Sequence, residues 1–402
     1  MCRDLVILGS TGSIGTQALD IVASHPGRMR VVALAAGGSN LPLLVDQVAQ
    51  FRPRFVAVAQ ADPAAITDAL RTGGVDPADV EIGVGLSAIV QAAEMLDETG
   101  VVLNGINGGV GLEPTLAALA SGATLALANK ESLVVGAPLV RAACVRPGQV
   151  VPVDSEHSAI AQCLASGRHE RGLTAARVTG TSEVSRLVLT ASGGPFRGKT
   201  RADLGSITPS QALAHPTWDM GPVVTINSST LMNKGLELIE AHVLFDIAPD
   251  RIDAVVHPQS IVHSMVTFID GATIAQASPP DMHLPIALSL SWPERWEDIE
   301  PPCVWDQPTS WDFEPVDDVT FPALSLAREA VAASDTHPTV MNAANEVCVD
   351  AFLRQELPYL AIVDTVAAVV EQHEGVAEPS LEDILAVQEW AVAEASQRIG
   401  AN

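Results

Sequence analysis

At 402 residues the chain is too long for a single hydrophobic core, which predicts two or three domains. An apolar fraction of 48% against 17% charged residues is an ordinary globular balance, and no apolar run reaches the roughly 18 uncharged residues of a membrane span. The formal charge of −26 excludes non-specific attraction to nucleic acid or to an anionic membrane, so a phosphorylated ligand would need local positive charge.

Only three of the 22 basic residues are lysines, Lys130, Lys199 and Lys234, which makes each a candidate for a specific task. The five cysteines are scattered and lack C-x-x-C spacing, so neither a disulfide framework nor a zinc site is expected. No signal or transit peptide is expected ahead of the first strand, a pattern that reads as cytoplasmic.

Leu5 to Leu8 reads as a buried strand, followed at once by Gly9-Ser10-Thr11-Gly12-Ser13-Ile14-Gly15 and a helical pattern to Val22. Strand, glycine turn and helix in that order place backbone N–H groups where a pyrophosphate can sit. The spacing is G-x-x-G-x-x-G, which also serves close helix–strand packing alone. A second strand, Val31 to Ala35, ends in Ala36-Gly37-Gly38-Ser39-Asn40. An acid near this point would hold a ribose 2′-hydroxyl, and its absence favours NADP over NAD. Strands and helices then alternate to about residue 150, predicting a Rossmann-like doubly wound parallel sheet with Asn104, Asn129, Lys130, Glu131 and Asp154 at carboxyl ends of strands.

Val150 to Val153 runs into Asp154-Ser155-Glu156-His157. Read as extended chain, residues two apart project to one side, which would pair the two carboxylates for a hard divalent cation or leave them in solvent. Leu187 to Ala191 is a strand delivering Ser192-Gly193-Gly194-Pro195-Phe196, and the stretch to Pro222 has the irregularity of a lid, with Trp218 as a hydrophobic clamp or a buried anchor. Ile226 to Thr230 is expected to open a strong helix on which Asn233, Lys234 and Glu237 share one polar stripe, either a solvated face or a phosphate site. His257 and His263 read as hydrogen-bonded structural residues in a second sheet. Trp292 to Trp311 holds four of six tryptophans in a proline-rich connector, and the pattern beyond Val316 is helical throughout.

The glycine turn, Asn129-Lys130-Glu131-Ser132, Pro152 to His157, Ser192 to Phe196, His215-Pro216-Thr217-Trp218, Met232 to Glu237, His257 to Ser260 and Asn342 to Glu346 occur in an order that resembles the 1-deoxy-D-xylulose 5-phosphate reductoisomerase family from end to end. The resemblance implies a homodimer with an NADPH-binding domain (1–150), a central α+β catalytic, metal-binding and dimer-forming domain (151–291) with a flap at about 192–222, a connector (292–316) and a C-terminal α-helical bundle (317–402). It implies that Asp154, Glu156 and Glu237 hold Mg²⁺ or Mn²⁺, with Co²⁺ as a substitute, and that Lys130 and Ser155 contact substrate oxygens. Ser192, Ser228, Asn233 and Lys234 are then phosphate ligands, and His215 and Trp218 flap residues. Thr11, Gly12, Ser13, Ile14, Gly37, Asn40, Asn129, Glu131 and Gly221 become cofactor contacts. Where some relatives carry a lysine beside the glycine after strand two, this chain has Gly38, which leaves the source of 2′-phosphate selectivity open, with Arg52 and Arg54 as candidates the sequence does not decide between or confirm. A competing expectation is an NADP-dependent, homoserine dehydrogenase-like enzyme, which shares the nucleotide turn. Another is an NADPH-binding sensor without catalysis, which needs neither a flap tryptophan nor the Lys234/Glu237 stripe.

Overall fold

The computed structural model describes residues 2–218 and 220–401. In chain order it comprises β1 (Arg3–Leu8), α1 (Ser13–Ser24), β2 (Met29–Ala36), α2 (Leu41–Phe51), β3 (Phe55–Val58), α3 (Pro63–Thr72), β4 (Glu81–Val84), α4 (Leu86–Ala93), β5 (Val101–Asn104), α5 (Leu112–Ala120), β6 (Thr124–Leu127), α6 (Lys130–Ala143), β7 (Val150–Pro152) and α7 (Ser155–Leu164). There follow β8 (Val184–Ala191), α8 (Pro209–Ala212), α9 (Pro222–Ser229), α10 (Met232–Phe245), β9 (Ile252–Val256), β10 (Val262–Phe268), β11 (Thr273–Ala277), α11 (His283–Ser291), β12 (Glu314–Pro315), α12 (Ala323–Ala333), α13 (His337–Leu353), α14 (Ala361–Glu371) and α15 (Leu381–Ala401). None of the described helices is long and apolar enough to cross a membrane, and all five cysteines are free thiols.

The chain packs as two compact units. The first holds residues up to Ser132, Val140–Ser158 and Asp281–Glu300. Residues 281–300, which close the expected catalytic domain and begin the expected connector, therefore pack in the same unit as the glycine turn. The second holds Leu133–Leu139, Ala159–Pro280 and everything from Pro301 onward.

The first unit is built on a seven-stranded sheet of order β4-β3-β2-β1-β5-β6-β7, parallel throughout. Its central strands are apolar without alternation because helices cover both faces, and Leu5, Ile7, Leu34, Val56 and Leu103 are all buried. Strand order reverses between β1 and β5, which opens a crevice at their carboxyl ends. There Gly9 has φ +87°, and a Cβ on it would lie 2.7 Å from the Gly105 carbonyl oxygen, so only glycine fits. Ile286, Ala287 and Leu290 of α11 complete this core. The His25 ring stacks on Trp296 and its Nε2 meets the Glu297 carbonyl at 2.9 Å, fastening the rest of that segment.

In the second unit a five-stranded sheet of order β11-β10-β8-β9-β12 pairs β8 with β9 in parallel and its other neighbours antiparallel. Helices α12 to α15 form the expected bundle, and their buried Ala327, Met341, Phe352 and Val366 share a core with Leu236 and Ile239 of α10. The strong helix expected to open at Ile226 is in fact two. Helix α9 ends at Ser229, Leu231 turns through a left-handed φ of 58°, and α10 starts at Met232. A non-glycine residue in that conformation costs about 1–2 kcal/mol, which the burial of Leu231 helps to offset.

Candidate active site

The dinucleotide crevice is made by main chain. Helix α1 starts after Gly12 with no side-chain cap and no acid in its first turn, so the positive end of its dipole faces the crevice uncompensated. A Cβ on Gly15 would stand 2.3 Å from the Gly9 oxygen, so the third glycine lets helix and turn touch. Asn40 accepts a hydrogen bond from the Leu43 N–H at 3.2 Å and caps α2, while Gly37 is open on its Cα side. No carboxylate stands in the Gly37–Asn40 turn to repel a 2′-phosphate, so this end fits NADPH.

The structure places the two candidates Arg52 and Arg54 away from this turn. Strand β3 runs parallel to β2, and the Arg54 N–H donates to the Val32 carbonyl. Both arginines therefore sit near the amino ends of the strands, with Arg54 roughly 16 Å before Gly37 at about 3.3 Å per residue. Gly38 itself has φ +105°, and a Cβ there would lie 2.3 Å from the Gln60 oxygen, so position 38 admits no side chain in this turn. The polar groups at the correct end belong to Ser39, Asn40 and Gln60, whose N–H donates to the Gly37 carbonyl.

At the end of β6, Asn129 is buried and its amide donates to the carbonyls of Ile106 and Gly108 at 2.7 and 2.9 Å and to Glu131 Oε2. Burial pushes the Glu131 carboxyl above the usual range. Lys130 Nζ stands 3.0 Å from Asp154 Oδ2. The two acids of the Asp154-Ser155-Glu156 stretch are arranged differently from an extended chain. The strand ends at Pro152, and Asp154 Oδ1 accepts the Glu156 N–H at 3.2 Å, so Asp154 caps α7 and Glu156 occupies its first turn. Helical spacing also brings His157, for which no role was expected, to 3.3 Å from Asp154 Oδ1. Ser155 donates its hydroxyl to Glu156.

The second unit contributes a distinct set. Ser192 Oγ lies 2.9 Å from His215 Nε2. His215 Nδ1 accepts the N–H groups of Thr217 and Trp218 at 3.1 and 2.9 Å, which leaves the proton on Nε2 and makes Ser192 the acceptor. Burial lowers the His215 pKa and favours this neutral form, leaving the Ser192 hydroxyl free to donate outward. The Trp218 ring meets His263 edge to face at 6.1 Å. His263 and His257 are hydrogen-bonded as expected, the latter from Nδ1 to the Asp312 carbonyl at 2.8 Å.

Gly194, with φ +62°, carries the Ser192 loop against α9, where an added Cβ would sit 3.0 Å from the Ser228 oxygen. Gly221 is the N-cap of that helix. One turn beyond, Lys234 and Glu237 are 4% and 1% exposed, so the polar stripe is no solvated face. Glu237 accepts from Asn233 Nδ2 at one oxygen and from Lys234 Nζ at the other. A buried ion pair of this kind is weak evidence for stability and stronger evidence for a task.

Each unit thus presents carboxylates already oriented by neighbours, an all-oxygen donor set of the sort Mg²⁺ and Mn²⁺ take. A further cluster, Asp281, His283 and Glu300, was not anticipated. His283 Nδ1 is 2.7 Å from Asp281 and 3.8 Å from Glu300. Burial, with the Asp281 carboxylate beside it, pushes the Glu300 carboxyl up to about 7. It carries neither a lysine nor a hydroxyl, and a shared proton satisfies its two acids.

Three family models match in register: 1-deoxy-D-xylulose 5-phosphate reductoisomerase over residues 5–137, its C-terminal domain over 150–245, and a further DXP reductoisomerase C-terminal domain over 277–394. A protein of that name from Beutenbergia cavernae is 60% identical over 391 residues, covering 97% of this chain and 95% of its own length. Among solved structures, the reductoisomerase from Zymomonas mobilis in complex with NADPH is 37% identical with a TM-score of 0.86, covering 99% of both chains. A DOX-P reductoisomerase in complex with NADPH, fosmidomycin and magnesium is 34% identical with a TM-score of 0.87, covering 99% of this chain and 98% of its own.

Proposed function

This chain belongs to the 1-deoxy-D-xylulose 5-phosphate reductoisomerase family, and we propose that it rearranges and reduces 1-deoxy-D-xylulose 5-phosphate to 2-C-methyl-D-erythritol 4-phosphate with NADPH and a divalent metal. A homoserine dehydrogenase-like activity is not favoured by these relatives. The observation that carries the assignment of residues is the burial of Lys234 and Glu237, a charged pair that an acidic chain with three lysines keeps out of solvent at the start of α10, just after the helix that bears Ser228.

Asp154, Glu156 and Glu237 would hold the cation, Mg²⁺ or Mn²⁺ with Co²⁺ as a substitute, which would supply Lewis acidity to the substrate. Lys130 and Ser155 donate to substrate oxygens, and Lys130 offsets the negative charge of Asp154 before any ligand arrives. Ser192, Ser228, Asn233 and Lys234 bind the phosphate through hydroxyl, amide and ammonium donors. The proton that His215 keeps on Nε2 orients the Ser192 hydroxyl toward that anion, and His215 with Trp218 closes the flap against water. Thr11, Gly12, Ser13 and Ile14 receive the pyrophosphate of NADPH, which supplies hydride. Gly37, Asn40, Asn129, Glu131 and Gly221 complete its contacts. The working assembly is a homodimer.

Purified protein is expected to oxidise NADPH in the presence of 1-deoxy-D-xylulose 5-phosphate only when Mg²⁺ or Mn²⁺ is supplied, and to use NADH poorly. Undiminished turnover in excess EDTA removes the metal assignment. Equal rates with NADH remove the reading of the Gly37–Asn40 turn.

A further inference from the structure

Helices α12 to α15 carry none of the groups assigned above to cofactor, metal or phosphate, yet they hold the segment that does. Two hydrogen bonds cross from them to α9, the helix that bears Ser228. Asn345 of α13 donates from Nδ2 to Asn227 Oδ1 at 2.9 Å, with both residues buried, 118 positions apart in sequence. Tyr359, just before α14, donates its hydroxyl to the Ser229 carbonyl at 2.7 Å, 130 positions away. These partners are the residues immediately before and after Ser228.

The second bond reaches a carbonyl in the last turn of α9, one of those that a helix leaves without an internal acceptor role. The Tyr359 ring is also packed edge-on against Phe196, at the end of the Ser192 loop, with 5.1 Å between ring centres, and against Phe352 of α13 at 5.7 Å. One side chain thus touches both serine-bearing segments. Asn345 Oδ1 is buried with no hydrogen-bond partner among the described residues, an unfavourable arrangement that packing alone would not select. A third contact places the next helix: a Cβ on Gly235 would lie 2.9 Å from the Ala323 carbonyl, so α10 meets α12 backbone to backbone between Lys234 and Glu237.

We infer that Asn345 and Tyr359 are positioning residues for phosphate recognition: through Asn227 and Ser229 they fix the Ser228 turn, and Tyr359 fixes the Ser192 loop against it. The inference rests on the assignment of Ser192 and Ser228 to the substrate phosphate. Hydroxyl donors bind an anion well only when their directions are set beforehand, because each freed rotation must be frozen again on binding. The C-terminal helices are therefore part of substrate affinity without touching substrate.

The test compares Tyr359→Phe and Asn345→Ala with Val366→Ala, a cavity in the same buried bundle remote from α9 in sequence and unconnected to it by a hydrogen bond among those described. With full-length enzyme, Mg²⁺ and saturating NADPH, the two positioning variants are expected to raise KM for 1-deoxy-D-xylulose 5-phosphate about fivefold each, the worth of one ordinary hydrogen bond. The KM for NADPH should stay within about twofold of the parent, since the loss is confined to one hydrogen bond away from the cofactor. Val366→Ala is expected to lower Tm at least as much while leaving both KM values in place. If Val366→Ala raises the substrate KM equally, or if Tyr359→Phe and Asn345→Ala move both KM values together, the positioning role is overturned. A parent enzyme that does not turn over this substrate at all overturns the functional reading instead.

Discussion

The two ligand regions are built from different materials. The dinucleotide crevice is main chain: a glycine turn, an uncapped helix start and strand ends, drawn largely from a contiguous run of residues 9 to 15. The proposed phosphate region is side chain: Ser192, Ser228, Asn233 and Lys234 come from a loop and two helices, with His215 behind Ser192 and Glu237 behind Asn233 and Lys234. A main-chain site tolerates exchange of side chains but not the addition of a Cβ. A side-chain site tolerates neither the loss of a partner nor the loosening of what holds it.

That contrast is most sharply broken or upheld by Glu237→Gln. The substitution removes a proposed ligand and leaves Lys234 buried beside a neutral amide, so kcat/KM is expected to fall by more than the roughly 100-fold typical of a group that only supports a ligand. NADPH affinity, measured by fluorescence titration, should be unchanged, and a parallel loss of both would mean that the two regions are not independent. The converse variant is Gly15→Ala. Its Cβ would press on the Gly9 oxygen and Ser10 backbone, costing about 1–3 kcal/mol in overpacking. NADPH binding should weaken on the order of tenfold at each 1.4 kcal/mol, while inhibition by inorganic phosphate stays as in the parent.

The smallest expected effect concerns pH, where the regions should respond in opposite senses. The folded His215 pKa lies below its ordinary value, so the unfolded chain binds the proton more readily, and the stability linked to His215 is lost as pH falls below about 6.5. Glu300 in the first unit behaves the other way. Its folded pKa is raised from 4.5 to about 7, so its contribution is present in full below 4.5 and is lost as pH rises through 7. Glu300→Gln imitates the protonated acid, and the fall in Tm from pH 5 to pH 8 should shrink by roughly 2 °C relative to the parent. An identical pH dependence in the variant would remove the shared proton from the account of this cluster.

How much could be read in advance follows the same division. The parallel sheet was legible because β1, β2, β5 and β6 are buried on both faces and write continuous apolar runs, and the turn was legible because its glycines are forced by close approach. The Lys234/Glu237 stripe was visible as spacing, but its burial was not, since helical periodicity cannot say that a polar face is covered by other helices. The break at Leu231 was hidden because nothing in a leucine announces a left-handed φ. The standing of Arg52 and Arg54 could not be read because composition near a turn says nothing of register, and a parallel strand sets its first residues beside the opposite end of its neighbour. Asp154 looked like part of a strand until its carboxylate proved to be a helix cap. The Asp281–Glu300 cluster joins residues nearly twenty apart that no motif connects.

The return of residues 281–300 to the first unit bears on how this protein can be divided. A gene fragment stopping at residue 150 would encode the whole nucleotide turn yet lack Val153, Ile286, Ala287 and Leu290, which lie in the same buried core. Such a fragment would expose an apolar face and be prone to aggregate, however complete its glycine motif. Domain shuffling, split reporters and truncation libraries that treat the cofactor half as a cassette cut through its interior. A permutation that keeps 281–300 covalently beside the segments up to residue 132 and 140–158 respects the packing of that unit.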